Sequence, residues 1–173
     1  MKKIITALLF TFTIVSCGSL NTIDPVNKEL SAFSESGDRL PALPTSPVFT
    51  VFNNDYKGLY EENEAIAQKD PLNPDKYFFS LLRNTKSTID ACFFHINDPN
   101  VVAEFIAAHK RGVKIRIITD TDNLTTHNGD MMIPNPAIEL LKAAGITVKG
   151  DQRSPFMHHK FIVADNKIVW TGS

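Results

Sequence analysis

Three helix starts of the same kind, separated by short apolar runs, constrain the fold of this chain most strongly. Asn73-Pro74, Asp98-Pro99 and Asn135-Pro136 each place a capping side chain before a proline, which is favoured at the first helical position. Gly112 and Gly145 follow the second and third predicted helices as stop signals. Apolar runs around these helices predict strands at 87–96, 113–119, 146–149, 157–164 and 167–171. The alternation predicts an α/β fold with a largely parallel or mixed sheet flanked by helices.

The predicted domain begins at residue 48, where the composition changes. Residues 48–52 (V-F-T-V-F) predict a further strand, so we expect the folded domain to cover residues 48–173. The preceding stretch, 17–47, is rich in Ser, Pro and Asn and lacks a sustained hydrophobic period. It is therefore predicted to be a flexible tether.

The N-terminus has the pattern of an export signal. Lys2 and Lys3 precede an apolar run of twelve residues at 4–15. A helix needs about twenty apolar residues to span a bilayer. Residues 1–16 are therefore predicted to be a signal peptide rather than a transmembrane anchor, and the protein is expected to be exported to the cell envelope.

The signal ends in I-V-S-C-G at residues 14–18, which resembles a bacterial lipobox. The resemblance implies that Cys17 becomes the lipid-modified first residue of the mature protein and anchors it to a membrane. The alternative is ordinary signal cleavage within residues 16–19, which would release a soluble protein. A lipidated Cys17 leaves Cys92 without a disulfide partner, so Cys92 is expected to be a buried, inert thiol in an apolar strand.

The predicted strand at 157–164 carries the residues with the clearest chemistry. Side chains alternate along a strand, so His158 and Lys160 point the same way, and His159 points to the opposite, packed face. An imidazole can attack phosphorus and form a covalent intermediate. The charge of Lys160 can stabilise the phosphate oxygens in the transition state. Asp165 falls where the strand turns, and is expected to orient backbone rather than touch substrate.

The run H-x-K-x4-D-x6-G-S, with His158, Lys160, Asp165, Gly172 and Ser173 at its fixed positions, resembles the HKD signature of the phospholipase D superfamily. Members cleave or exchange phosphodiester bonds in lipids or nucleic acids. The resemblance implies a phospholipase D-like α/β domain and a phosphohistidine intermediate. It also implies that no cofactor is needed, that His158, Lys160 and Asp165 form the catalytic motif, and that Ser173 binds substrate.

The resemblance also implies that a second motif is needed, because the family's active site uses two. One histidine is the nucleophile, and the other protonates the leaving oxygen. This chain shows one copy, so we expect the second from residues that follow Ser173 in a longer protein, or from a homodimer partner. Residues 111–115 (R-G-V-K-I) resemble the family's passage from helix to strand and extend the resemblance over about residues 74–173.

Four acidic residues could orient His158, and the sequence does not choose among them. The candidates are Asp90, Glu104, Asp120 and Asp122. Asp120 and Asp122 follow the carboxyl end of a predicted strand, where ligand sites gather in α/β sheets. A metal site is not expected, because adjacent histidines on a strand diverge and the remaining histidines lack ligand spacing: His95, His109 and His127.

The leading functional hypothesis is a lipid-anchored, exported phosphodiesterase acting on phospholipids. The formal net charge of −1 becomes −3 once Lys2 and Lys3 leave with the signal, which weakens the case for electrostatic capture of nucleic acid. An exported endonuclease of the same superfamily is one alternative, either anchored or as a soluble periplasmic enzyme. A non-catalytic surface lipoprotein that keeps the fold as a binding module is another.

Overall fold

The structure is a computed structural model that describes residues 40–46, 48–51, 65–67 and 69–172. The predicted signal peptide, Cys17, most of the tether and Ser173 lie outside the described residues. No helix within the described ranges is long and apolar enough to cross a bilayer.

The predicted strand at 48–52 is wrong for the residues described there. Residues 48–51 form no strand, and Val48 is 79% exposed. One apolar side chain of this stretch contacts a helix instead of a sheet neighbour. The ring of Phe49 packs 5.2 Å from that of Tyr77, which lies in the first helix of the domain.

The remaining elements follow the predicted alternation. Residues 65–67 and 69 are helical, and the rest of the described chain comprises α1 (Pro74–Asn84), β1 (Thr88–Phe93), α2 (Pro99–Lys110), β2 (Lys114–Thr119), a 3-10 helix (Thr121–Leu124), β3 (Thr125–Asn128), β4 (Met131–Pro134), α3 (Pro136–Ala143), β5 (Thr147–Gly150), β6 (Lys160–Ala164) and β7 (Ile168–Thr171). All three predicted Asx-Pro helices and the five strands after residue 86 are present, with their ends shifted by a few residues.

The helix starts use the capping chemistry that the sequence predicts. The side-chain oxygens of Asn73, Asp98 and Asn135 accept hydrogen bonds from backbone N–H groups two residues further on, at 2.8, 2.7 and 3.0 Å. Gly112 and Gly145 follow α2 and α3 with φ of 96° and 90°, a conformation that favours glycine. Local sequence therefore determines where these helices begin and end.

The main sheet is mixed, which confirms the predicted α/β class. Its strand order is β5-β2-β1-β6-β7. β1 pairs in parallel with β2, and β2 with β5, whereas β6 is antiparallel to both β1 and β7. Strands β3 and β4 form a separate antiparallel hairpin. The antiparallel β6 brings its first residue, Lys160, beside Phe93 at the carboxyl end of β1.

The hydrophobic core lies between the helices and one face of the main sheet. Alternate residues of the central strands are buried against helical side chains, and the core includes Ile89, Ile117, Ile162, Leu82, Phe105 and Leu141. The opposite face is more open, with Arg116 and Ile118 exposed on β2. Lys160 follows the alternation of Ile162, so its side chain belongs to the helix-covered side at the end of the sheet.

Candidate active site

The structure brings His158 and Lys160 together at the start of β6. The Lys160 Nζ lies 3.2 Å from His158 Nε2 and donates a second hydrogen bond to the His158 carbonyl oxygen, also at 3.2 Å. The strand begins at Lys160, three residues later than predicted. The Phe94 N–H nevertheless donates to the His159 carbonyl at 3.0 Å, so the preceding residues still run alongside β1. An imidazole and an ammonium group thus face one accessible point.

The Phe94 ring lies next to both His158 and Lys160, a role that sequence reasoning missed. Its ring lies 5.0 Å from the His158 ring, and the Lys160 Nζ lies 5.5 Å from its centroid. His95 stacks on Phe94 at 4.1 Å, and Phe156 meets it edge-on at 5.8 Å. The available signal was the position of Phe94 just past the carboxyl end of β1, where site residues collect.

His159 points away from Lys160 as predicted, but it is exposed rather than packed. Its ring lies 6.2 Å from that of Phe161, two residues along the strand, in the alternation predicted for the face away from Lys160. The expected packing is wrong, because His159 is exposed and Phe161 only half-buried. The helices cover the other face of the sheet, so replacing His159 is now expected to cost little stability.

Among the four acidic candidates, Asp120 is the one that holds the segment leading into His158. Its Oδ2 accepts a hydrogen bond from the Met157 backbone N–H at 2.7 Å, and its Oδ1 accepts one from the Asp122 N–H at 3.0 Å. Asp120 is 4% exposed, so these contacts are shielded from water. Asp120 therefore fixes the backbone beside His158, and within the described ranges no carboxylate hydrogen-bonds to the His158 ring.

The other candidates have different partners. The Arg116 guanidinium hydrogen-bonds to Asp90 and lowers the pKa of that carboxyl. Glu104 is buried and pairs with Arg83 across α1 and α2. Asp122 lines a separate polar cavity of about 380 Å³ together with His95.

Buried polar contacts tie the strand ends around the site into one unit. The Thr119 hydroxyl donates to the Phe94 carbonyl at 3.2 Å, and the Asn123 amide donates to that hydroxyl oxygen at 2.8 Å. The Asn135 amide donates in turn to the Asn123 carbonyl at 2.9 Å. The ends of β1, β2 and the start of α3 therefore hold Phe94 in place together.

Asp165 lies at the far end of β6 from Lys160. Its carboxylate accepts hydrogen bonds from the backbone N–H groups of Lys86, Ser87 and Thr88 at 2.9, 2.7 and 3.0 Å, and from the Ser87 hydroxyl at 2.7 Å. Burial alone would raise the pKa of Asp165, but these four donors outweigh it and hold the pKa well below its ordinary value. Asp165 thus organises the link between α1 and β1 and does not contact His158.

Cys92 is half-buried on β1 with its Sγ 3.3 Å from Met157 Sδ. Burial, assisted by the negative charge of Asp151, raises the pKa of the thiol. A raised pKa keeps the thiol protonated at neutral pH and makes it a poor nucleophile. Across the described ranges, no three His, Cys, Asp or Glu side chains form a group that could hold a metal ion.

A cavity of about 370 Å³ opens beside Lys160 on the helix-covered side. Most of its wall is apolar, with aromatic side chains from α1, β1 and β7: Phe78, Phe93 and Trp170. His95 and Asn97 line both this cavity and the polar cavity that Asp122 lines. A phosphodiester held by Lys160 could extend one substituent into this apolar cavity.

Comparison with known proteins identifies the family. Residues 78–173 match the family described as cardiolipin synthase, PLD-like domain. Curated relatives include the mitochondrial cardiolipin hydrolases of Xenopus laevis, 36% identical over 92 residues (53% of this chain, 40% of the relative), and of Homo sapiens, 36% identical over 88 residues (51% and 32%). The matched region thus spans well under half the length of these relatives.

Two solved structures are also similar to parts of this chain. Nuc from Salmonella typhimurium, a phospholipase D family member, is 28% identical with a TM-score of 0.46, over 55% of this chain and 59% of that chain. NucT from Helicobacter pylori is 19% identical with a TM-score of 0.45, over 66% and 68%. The family match alone covers more than half of the sequence, and the chain therefore belongs to the PLD-like domain family of cardiolipin synthase, within the phospholipase D superfamily.

Proposed function

We propose that this protein is a phosphodiesterase in which His158 is the nucleophile and Lys160 stabilises the phosphoryl group, with phospholipids as its substrates. The observation that carries the proposal is the 3.2 Å approach of Lys160 Nζ to His158 Nε2 within a PLD-like domain. Both side chains reach one accessible point above the Phe94 ring.

The first step is attack of His158 Nε2 on phosphorus. A P–N bond forms, the P–O bond to the alcohol breaks, and the alcohol oxygen takes a proton from a general acid. The Lys160 ammonium group, which contacts Nε2 before substrate binds, is positioned to transfer its hydrogen bond to a phosphate oxygen. That transfer frees the Nε2 lone pair and places positive charge where the transition state needs it. Water then cleaves the P–N bond and releases a phosphomonoester.

The general acid of the first step is proposed to be a second HKD histidine. The described residues offer His95 near the pair, but it stacks on Phe94 at the cavity wall and lacks a neighbouring lysine in the HKD spacing. The family pattern uses two motifs, so we assign this role to the second motif, from residues that follow Ser173 in a longer protein or from a second copy of the chain. Ser173 is proposed to bind the phosphate.

Two features favour a phospholipid over a nucleic acid. The cavity beside Lys160 is mostly apolar, which suits a lipid alcohol better than a charged backbone. The formal net charge of −1 provides no general attraction for a polyanion. We propose in addition that lipidation of Cys17 anchors the exported protein at the bacterial cell envelope, where its substrate is present; residues 14–18 support this. An exported endonuclease remains an outcome that the assay below separates.

The test is trapping of the covalent intermediate on the full-length protein. Phospholipid micelles and single-stranded DNA, each labelled at the phosphodiester, are quenched in base, which preserves phosphohistidine. We expect labelled His158 with the lipid, and turnover reduced by several orders of magnitude in His158→Asn. His159→Asn is the matched control, because it removes an exposed imidazole one residue away.

Two outcomes would contradict the proposal. Labelling from DNA but not from lipid would make the protein a nuclease of the same superfamily. Loss of activity in His159→Asn, with His158→Asn still active, would show that the assignment of the nucleophile is wrong.

A further inference from the structure

The Phe94 ring lies beside both members of the His158–Lys160 pair. Its centroid lies 5.0 Å from that of the His158 ring, with a tilt of 58°, and 5.5 Å from the Lys160 Nζ. The face of a benzene ring carries partial negative charge and attracts a cation within about 6 Å of its centroid. Either group is therefore close enough to gain from this attraction whenever it carries positive charge.

Contacts on several sides fix the position of the Phe94 ring. His95 stacks on it at 4.1 Å with a tilt of 20°, and Phe156 meets it edge-on at 5.8 Å. The backbone is held as well, since the Phe94 N–H donates to the His159 carbonyl at 3.0 Å and the Phe94 carbonyl accepts from the Thr119 hydroxyl at 3.2 Å. Folding therefore positions the ring, and the reaction does not have to reorganise it.

The contact with Lys160 determines which nitrogen of His158 holds the proton. An ammonium group has donors only, so His158 Nε2 must accept the hydrogen bond from Nζ at 3.2 Å. The one proton of the neutral imidazole must then be on Nδ1. When Nε2 attacks phosphorus, its lone pair forms the P–N bond, the Nδ1 proton stays, and the ring becomes positively charged. The nucleophile thus changes from a neutral ring to a cation during the first step.

Phe94 is the neighbour whose polarity suits this new charge. In the part of the chain that the structure describes, no carboxylate hydrogen-bonds to the His158 imidazole. Lys160 is itself a cation, so its charge stabilises the phosphate oxygens but opposes a positive charge on the ring. The face of Phe94 attracts that charge, at a distance that the fold has already set.

We propose that Phe94 stabilises the cationic His158 ring of the phosphohistidine, and the transition state that leads to it, by a cation–π interaction. This role rests on the proposed function, because the ring acquires the charge when His158 attacks phosphorus. The alcohol still takes its proton from the general acid, so Phe94 neither gives nor receives a proton. Since the charge develops in the transition state, the interaction raises kcat rather than the affinity for substrate.

Fluorination of Phe94 tests this role with little change in the shape of the side chain. Each fluorine withdraws electron density from the ring face, whereas the nearly constant volume keeps the packing. Mono-, di- and trifluorophenylalanine replace Phe94 in the full-length protein, and labelling of His158 from labelled phospholipid micelles or single-stranded DNA is followed by rapid quench in base. We expect the labelling rate to fall stepwise, by about two- to thirty-fold over the series, the range of one cation–π contact.

Two matched controls separate charge from structure. The same series at Phe161 alters a ring 6.2 Å from His159, the imidazole on the other face of the strand, and should leave the rate unchanged. Repeating the Phe94 series in Lys160→Ala removes the second cation beside the ring, and the stepwise fall should persist there. KM should stay constant in the Phe94 series, because the added charge appears only as the P–N bond forms. Thermal melts verify that each variant is folded.

The outcomes distinguish this role from the proposed function. A flat Phe94 series in which His158 is still labelled would overturn the role and leave the nucleophile assignment intact. A stepwise fall that disappears in Lys160→Ala would also overturn it, because the ring would then act on Lys160 alone. Failure of both substrates to label His158 would remove the proposed function and this role with it. A stepwise fall with DNA alone would keep the role of Phe94 and change the substrate class.

Discussion

Asp165→Asn provides the sharpest test of how the HKD aspartate acts. In the structure, Asp165 Oδ2 accepts a hydrogen bond from the Lys86 N–H at 2.9 Å. Its Oδ1 accepts three more, from the Ser87 N–H, the Ser87 hydroxyl and the Thr88 N–H. An Asn side chain would place its NH₂ group opposite the Lys86 N–H, so that two donors would face each other. The three hydrogen bonds to Oδ1 would remain, but their acceptor would no longer be charged. Hydrogen bonds to charged groups contribute about 1.5–3 kcal/mol each, against about 0.5–1.5 for neutral ones.

The expected loss is the sum of the weakening of these four hydrogen bonds. Because the contacts lie near the surface, we expect the lower part of that sum, a loss of about 2–4 kcal/mol in the free energy of unfolding. The backbone of Asp165 adds no further penalty, because its φ of 52° lies in the left-handed region, which Asn adopts as readily as Asp. Asp130→Asn, in an exposed turn, is the control for net charge and should stay within about 0.5 kcal/mol of the wild type.

The measurement is urea unfolding at several pH values. The folded-state pKa of Asp165 is lowered, so the folded protein holds this proton less tightly than the unfolded chain. Its stabilisation is complete above the unfolded pKa of about 4 and is lost as the pH falls toward the folded pKa. The difference between wild type and Asp165→Asn should therefore be full at pH 7 and shrink below about pH 4.

The activity of Asp165→Asn shows whether Asp165 only organises the backbone or takes part in the reaction. Asp165 sits at the opposite end of β6 from Lys160, so activity per folded molecule should be close to that of wild type at a temperature where both proteins are folded. An Asp165→Asn protein of unchanged stability that had lost its turnover would refute the reasoning, because the carboxylate would then act on the reaction itself.

Four further predictions concern the site and the anchor. Lys160→Ala should lower kcat by roughly a hundred- to a thousand-fold, the scale of one lost oxyanion donor, with an unchanged melting temperature as the control. Asp120→Asn should leave Met157 N–H without its charged acceptor and lower both stability and kcat; wild-type kcat in a folded variant would exclude a positioning role. Activity of the full-length protein should survive chelation, because a histidine nucleophile needs no metal-bound water; loss restored by a divalent cation would replace the mechanism. Expressed in a bacterium, the wild type should partition into detergent and Cys17→Ser should not, whereas equal partitioning would remove the lipoprotein hypothesis.

The amino-acid sequence predicted those features that depend on a few neighbouring residues. The caps at Asn73, Asp98 and Asn135 act within two or three residues of each helix start, so their positions were predictable without knowledge of the fold. The adjacency of His158 and Lys160 follows from the two-residue period of an extended chain. Gly129-Asp130, a typical two-residue hairpin turn, could have predicted the β3–β4 hairpin that sequence reasoning missed.

Only the tertiary structure decided which distant residues surround that pair. The choice of Asp120 depends on a hydrogen bond to a residue 37 positions away, and that of Phe94 on the register between β1 and β6. The apolar pattern at 48–52 predicted a strand, but the described residues of that stretch have no sheet neighbour, and Phe49 packs on α1 instead. The predicted packing of His159 was also wrong, because the helices cover the other face of the sheet and leave His159 exposed. The two-residue period of a strand fixes the face to which a side chain points. The packing of strands and helices determines which residues, or solvent, that side chain contacts.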